Sequence, residues 1–280
     1  MKLSACMLLL VSVFCLPARG QRPPDHQNTN NSPYPPGPYA SRGTPDINAF
    51  RFRQMVDSFF MMGVKPSNEG SSPVMGTVSA RQLLIPGKAM KEFKRGNKDF
   101  LAKDFKTSAE HFKRAVAMYP DFAEARNNLG ASYLMTGEYE KSVAQLEKAI
   151  ALDPKPILPY DNLSFALFLL KHYPDSETAA RRALQIDPRH VTSLSLLGNA
   201  LAAQEHFTQE AVDSLRQSRK EIPEDRLTLA EILLRRGERT QAVVELREYL
   251  KVAPAPEKQK AQCWLAQLTQ TDISHACGAS

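Results

Sequence analysis

Five prolines mark out residues 120–254 of this chain at nearly equal lengths. Pro120, Pro154, Pro188 and Pro223 are 34, 34 and 35 residues apart, and Pro254 follows 31 further on. Each closes a similar phrase: HFKRAVAMYP, QLEKAIALDP, AARRALQIDP, SLRQSRKEIP and ELREYLKVAP. Proline cannot continue a helix, so it stands where one repeat hands over to the next. A period near 34 predicts a stacked helical array, in which no unit buries its apolar face alone. Such an array is an extended surface for holding something, not a cavity built for chemistry.

The residues between the prolines recur by type. In the second copy Leu129 and Gly130 are followed by Tyr133, Gly137, Tyr139, Leu146, Ala149 and Pro154. Leu163, Tyr173, Ala180, Ala183 and Pro188 take the equivalent places in the third copy, and Leu197, Gly198, Phe207, Ala211, Leu215 and Pro223 in the fourth. The first copy carries Gly96, Phe105, Phe112, Ala115 and Pro120, with Arg95 in the place of the Leu; the third has Ser164 in the place of the Gly. Small residues such as Gly130 and Gly198 let paired helices approach, Ala149 and Ala183 do so between neighbouring repeats, and Tyr133, Tyr139, Tyr173 and Phe207 fill the space between. The pattern resembles the tetratricopeptide repeat over about residues 88–254. The resemblance implies an all-α, right-handed solenoid of about five helix pairs at 88–255, with a capping helix and tail at 256–280.

Ahead of the repeats the composition changes. Lys2, an apolar run from Ala5 to Leu16, and Ala18-Arg19-Gly20 read as a secretory signal at 1–20, with a mature start at Gln21 and a periplasmic or secreted destination. The apolar run is shorter than the about 20 residues a bilayer span needs. Residues 21–48 hold seven prolines among Asn, Gln, Ser and Gly, a disordered or polyproline-like composition. Residues 49–87 form a linker in which Phe50, Phe52, Met55, Val56, Phe59, Phe60 and Met62 crowd an amphipathic stretch at 49–63. Packing on the solenoid, contact with a partner and a transient helix remain open for it. A membrane contact is disfavoured, because Arg51 and Arg53 are its only basic residues.

The net charge is +6, with acidic and basic residues mixed along the helices and no dense basic stripe, which speaks against nucleic acid. None of the six histidines forms an HxxxH or HExxH pair, and there is no GxSxG and no phosphate-cradling glycine loop. No catalytic residue, cofactor, metal or small-molecule substrate is expected. Cys263 and Cys277 form a tail-pinning disulfide in one reading; in the other Cys263 packs in the last helix and Cys277 stays free.

In the family that the chain resembles, the first helix of each repeat lines the concave face and grips protein segments. Carried over by alignment, the expected groove residues are Asn127, Leu134, Asp161, Asn162, Phe165, Phe168 and Asn199. Asn side chains suit a peptide backbone and Phe an apolar side chain, although Phe165 and Phe168 fit a core role equally well. Leu158 and Asn162 stand where members that clamp a C-terminal carboxylate carry basic residues, which argues against that clamp. The function expected is an exported scaffold or adaptor that binds a peptide segment in cell-envelope assembly. The alternatives are a structural or autoinhibited solenoid with its N-terminal segment in the groove, or an accessory subunit without a site of its own.

Overall fold

The computed structural model describes residues 84–269. The expected signal, the Pro-rich stretch, the Phe/Met segment at 49–63 and Cys277 lie outside the described residues. Eleven helices and no strands make up the described part: α1 (Gly87–Leu101), α2 (Phe105–Met118), α3 (Ala123–Met135), α4 (Tyr139–Leu152), α5 (Leu158–Leu169), α6 (Tyr173–Ile186), α7 (Val191–Ala203), α8 (Gln209–Ser218), α9 (Asp225–Arg235), α10 (Arg239–Leu250) and α11 (Ala255–Thr269). Each helix packs on the next, giving five antiparallel pairs and a final single helix. The odd helices α1 to α9 also touch one another in succession, which the even helices do far less. The array therefore curves with the odd helices on its inner wall.

The periodic prolines fall in the connections from each even helix to the next odd one. Tyr119, Asp153 and Asp187 precede three of them and are extended, with φ/ψ of −142/91°, −143/104° and −135/103°. A proline ring clashes with a helical residue before it, so the residue turns extended and the helix stops there. The opposite turns, from odd to even helix, each place one residue in the left-handed region: Lys103, Gly137, Lys171, Glu205 and Gly237. Paired backbone bonds close each turn, as in Lys171 N–H to Phe168 O at 3.0 Å and His172 N–H to Leu167 O at 2.9 Å. This is the Schellman closure of a helix C-terminus.

Within a pair the helices nearly touch. A Cβ on Gly130 would stand 2.7 Å from Leu146 Cγ, one on Gly198 2.5 Å from Leu215 Cγ, and one on Gly96 2.7 Å from the Phe112 ring. In the third repeat Ser164 fills the glycine place, and the residue in the place of Leu146 is Ala180. The added hydroxymethyl is matched by a smaller neighbour, so the pair still closes. Serine hydroxyls fasten the same crossing: Ser108 donates to Gly96 O (2.9 Å), Ser142 to Gly130 O (2.7 Å) and Ser176 to Ser164 O (2.8 Å).

The core divides along the array. The first repeats pack an aromatic cluster of Phe93, Phe100, Phe112 and Phe122, with Phe93 and Phe122 ring centroids 4.8 Å apart. The later repeats share an aliphatic core from Leu134 to Leu268. Helix α11 closes that core with buried Ala261 and Leu268 and half-buried Trp264 and Leu265, while Lys258 and Gln262 face water. Arg239 Nε reaches back from α10 to Leu268 O at 3.0 Å.

Candidate functional site

The inner wall carries a chain of asparagines across three repeats. Asn162 on α5 donates its Nδ2 to Asn127 Oδ1 on α3 at 3.0 Å. Asn127 Nδ2 donates to Asn128 Oδ1 at 3.0 Å, and Asn128 Nδ2 to Asn97 Oδ1 on α1 at 2.8 Å. Every bond points the same way, so the chain ends in an Asn97 amide with no acceptor and an Asn162 carbonyl with no donor among the described residues. An amide offers two donors and two acceptor sites, so each member keeps hydrogen-bonding capacity beyond the chain. Helical spacing sets apolar neighbours beside it. Leu101 lies one turn beyond Asn97 and is exposed, Ala131 and Met135 follow Asn128 half-buried, and Leu158 stands one turn before Asn162, 39% exposed. Phe168 is half-buried against Tyr173, the ring centroids 5.3 Å apart. The wall thus offers the half-buried Asn97 and Asn128 with apolar ledges beside them, while Asn127 and Asn162 are buried behind them.

The other expected groove residues serve the repeat seams. Leu134 and Phe165 are in the core, Phe165 with no exposure at all, so neither is available to a ligand in this conformation. For Phe165 the core role holds. Asp161 is buried, accepts from Ser193 Oγ at 2.6 Å and lies 3.1 Å from His190 Nδ1 through its other oxygen. That hydrogen bond to Asp161 raises the His190 pKa, against the opposing effect of burial. Asn199 is consumed by a second seam. Its Nδ2 donates to Asp225 Oδ1 and Ser195 O, both at 2.9 Å, and its Oδ1 accepts from Thr228 Oγ1 at 2.7 Å. Ser195 and Ser218 also donate to Asp225. Burial pushes the Asp225 carboxyl up to about 6, although the donors from Ser218, Asn199 and Ser195 hold it down. Asp161 and Asn199 therefore pin repeat to repeat.

Sequence alignment alone missed Asn97 and Asn128. A signal was present for Asn128, which stands one full period of 34 residues before Asn162. Cys263 takes part in a disulfide. Among the described residues there is no group of three or more His, Cys, Asp or Glu side chains placed to hold a metal. No helix there is long and apolar enough to cross a membrane.

A family model described as tetratricopeptide repeat matches residues 101–155. No curated protein matches the chain in sequence. Among solved structures, PilW, described as a widely conserved type IV pilus biogenesis factor, is similar with a TM-score of 0.59 at 15% identity, over 69% of this chain and 90% of that one. MamA (41-end) from Desulfovibrio magneticus RS-1 gives 0.55 at 14% identity, over 60% and 96%. YrrB, described as a TPR protein with an unusual peptide-binding site, gives 0.52 at 15%, over 62% and 89%. At these identities the likeness is one of fold. The matched segment at 101–155 is a tetratricopeptide repeat, and the repeated residues and the shared stack of helix pairs give the chain the same fold as these solenoids.

Proposed function

We propose that this protein is an exported adaptor that binds an extended protein segment along the inner wall of its solenoid, in the assembly of a cell-envelope structure. It acts by binding rather than catalysis, and its partners are proteins rather than nucleic acids or small molecules. One observation carries the reading: the asparagine chain Asn162–Asn127–Asn128–Asn97, whose half-buried members Asn97 and Asn128 keep spare donors and acceptors, between the exposed ledges Leu101 and Leu158. An extended backbone needs alternating donors and acceptors, and its side chains need apolar niches at the same time. The fold is shared with a protein described by its peptide-binding site and with a pilus biogenesis factor, which fits this reading. The apolar run before Ala18-Arg19-Gly20 supports export.

Peptides selected from a displayed random library on the mature protein test the groove. Their affinities are then measured by fluorescence anisotropy for wild type, Asn97→Ala and Leu158→Glu. Each variant is expected to weaken binding about tenfold, the order of one lost hydrogen bond or ledge, at unchanged melting temperature. Equal affinity for all three proteins would remove the groove from the function. Intact mass of protein recovered from the extracytoplasmic fraction tests export, with a mature start at Gln21 expected and a retained Met1 overturning it.

A further inference from the structure

Three positions that the next three repeats hold buried or half-buried are cations in the first. Lys91, Arg95 and Lys98 are exposed on α1. One period on, Ala125, Leu129 and Ser132 stand in their places and are buried; two periods on, Pro159, Leu163 and Ala166; three periods on, Ser193, Leu197 and Ala200. All of those are buried except Leu163, which is half-buried, because this is the face on which the preceding helix pair stacks. In α1 the charges oppose a further repeat in the same mode, since stacking would bury the lysines without partners.

The lysines on this face have no carboxylate partner among the described residues. Helix α1 carries Lys88, Lys91, Lys94, Arg95 and Lys98, all exposed. Its two carboxylates turn to the other side. Glu92 is buried against α2, bonded to His111 Nδ1 at 2.7 Å, and Asp99 Oδ2 is 3.4 Å from His111 Nε2. Among the described residues Arg95 alone of these five is paired, with Glu92 at 2.7 Å. Elsewhere Lys113, Lys141 and Lys251 each have a glutamate within one turn. Gly87, Met90, Lys91, Lys94, Arg95 and Lys98 form one open stretch of surface along the helix.

We infer that the outer face of α1 is a second docking surface, separate from the inner wall, that takes an acidic protein segment. Lys91 and Lys98 are two helical turns apart, about 10 Å, which about three extended residues span. A run of Asp or Glu of that length lays one carboxylate against each of the cations Lys91, Lys94 or Arg95, and Lys98. The cations form a single line along the helix rather than a broad patch, which favours an extended chain that tracks the line over a flat anionic bilayer that meets the ridge only along it.

Fluorescein-labelled octaglutamate, titrated into the full mature chain and followed by anisotropy, tests the surface. The controls are a Gly/Ser peptide of equal length and vesicles of mixed phosphatidylcholine and phosphatidylserine. Octaglutamate is expected to bind at low salt and to release as salt rises. The variant Lys91→Gln/Lys94→Gln/Lys98→Gln is expected to lose about tenfold in affinity. The variant Lys148→Gln/Lys155→Gln/Lys220→Gln, with the same net charge, is expected to bind like wild type. Peptides selected on the inner wall are expected to bind the α1 variant undiminished, which separates this surface from the groove. No octaglutamate binding, equal loss in both triple variants, or lysine-dependent vesicle binding without peptide binding would each overturn the inference.

Discussion

Gly130 and Leu146 offer a direct test of how the helix pairs close. A side chain at Gly130 would place Cβ 2.7 Å from Leu146 Cγ, 2.9 Å from its Cδ2 and 3.3 Å from Ser142 O. Leu146 is fully buried and has no room to yield. Gly130→Ser therefore overpacks the crossing, at a cost of about 1–3 kcal/mol, less up to about 0.5 kcal/mol for the better helix former. Leu146→Ala removes buried methyl groups and leaves a cavity, at a cost of about 2–5 kcal/mol. The third repeat already holds the combination of both, Ser164 with Ala180, and its serine bonds Ser176 O at 2.9 Å. The double variant reproduces that arrangement, with Ser142 in the place of Ser176. Its destabilisation should fall short of the sum of the singles by about 1–2 kcal/mol, the coupling expected of residues in contact. Urea unfolding of all four proteins, followed by far-ultraviolet circular dichroism, closes the cycle. Additivity within about 0.5 kcal/mol would show that the pair does not exchange volume and that the close approach is not what glycine provides here.

Ala149, fully buried between repeats, should lose about 1–3 kcal/mol or more as Ala149→Trp, while exposed Glu147→Gln should stay within about 0.5 kcal/mol; equal thermal shifts would refute the packed contact. Lys171 has φ of 62°, so Lys171→Gly should stabilise by about 0.5–1 kcal/mol, and a lower melting temperature would contradict the strain. Asp225 has a folded pKa raised from 3.8 to about 6, so its protonated form favours the fold: that contribution is complete below pH 4 and is lost as pH rises through 6, up to about 3 kcal/mol. Asp225→Asn should flatten this part of the stability–pH curve, and parallel curves for the two proteins would exclude Asp225 as its source. Trp264 is the only tryptophan and packs on the last core, so native emission should be blue-shifted and a chain cut before Pro256 should melt lower; solvent-like emission with an unchanged melting temperature would remove α11 as a cap.

How much of this was legible in the residues divides cleanly by range. Helix punctuation is local. A proline sets the conformation of the residue before it, whatever the neighbours do, and a small residue at Gly96, Gly130 and Gly198 is required by helices in contact. The period, the pairing and the stack therefore follow from the chain alone. The groove does not. Asn127 on α3 and Asn199 on α7 both lie on the first helix of a repeat and were expected at the concave face, yet the first joins a row along the inner wall and the second is locked to Asp225 and Thr228. What separates them lies in the next repeat: Asn162 faces Asn127, and a buried carboxylate faces Asn199. The same holds for Phe165, whose burial depends on how tightly α5 sits on its neighbours. Sequence determined the repeat and its boundaries because those are set within a few residues. Only the tertiary structure decided which side chains reach the wall and which are spent at the seams, because that depends on the rotation between successive repeats, fixed by contacts about a period apart in the chain.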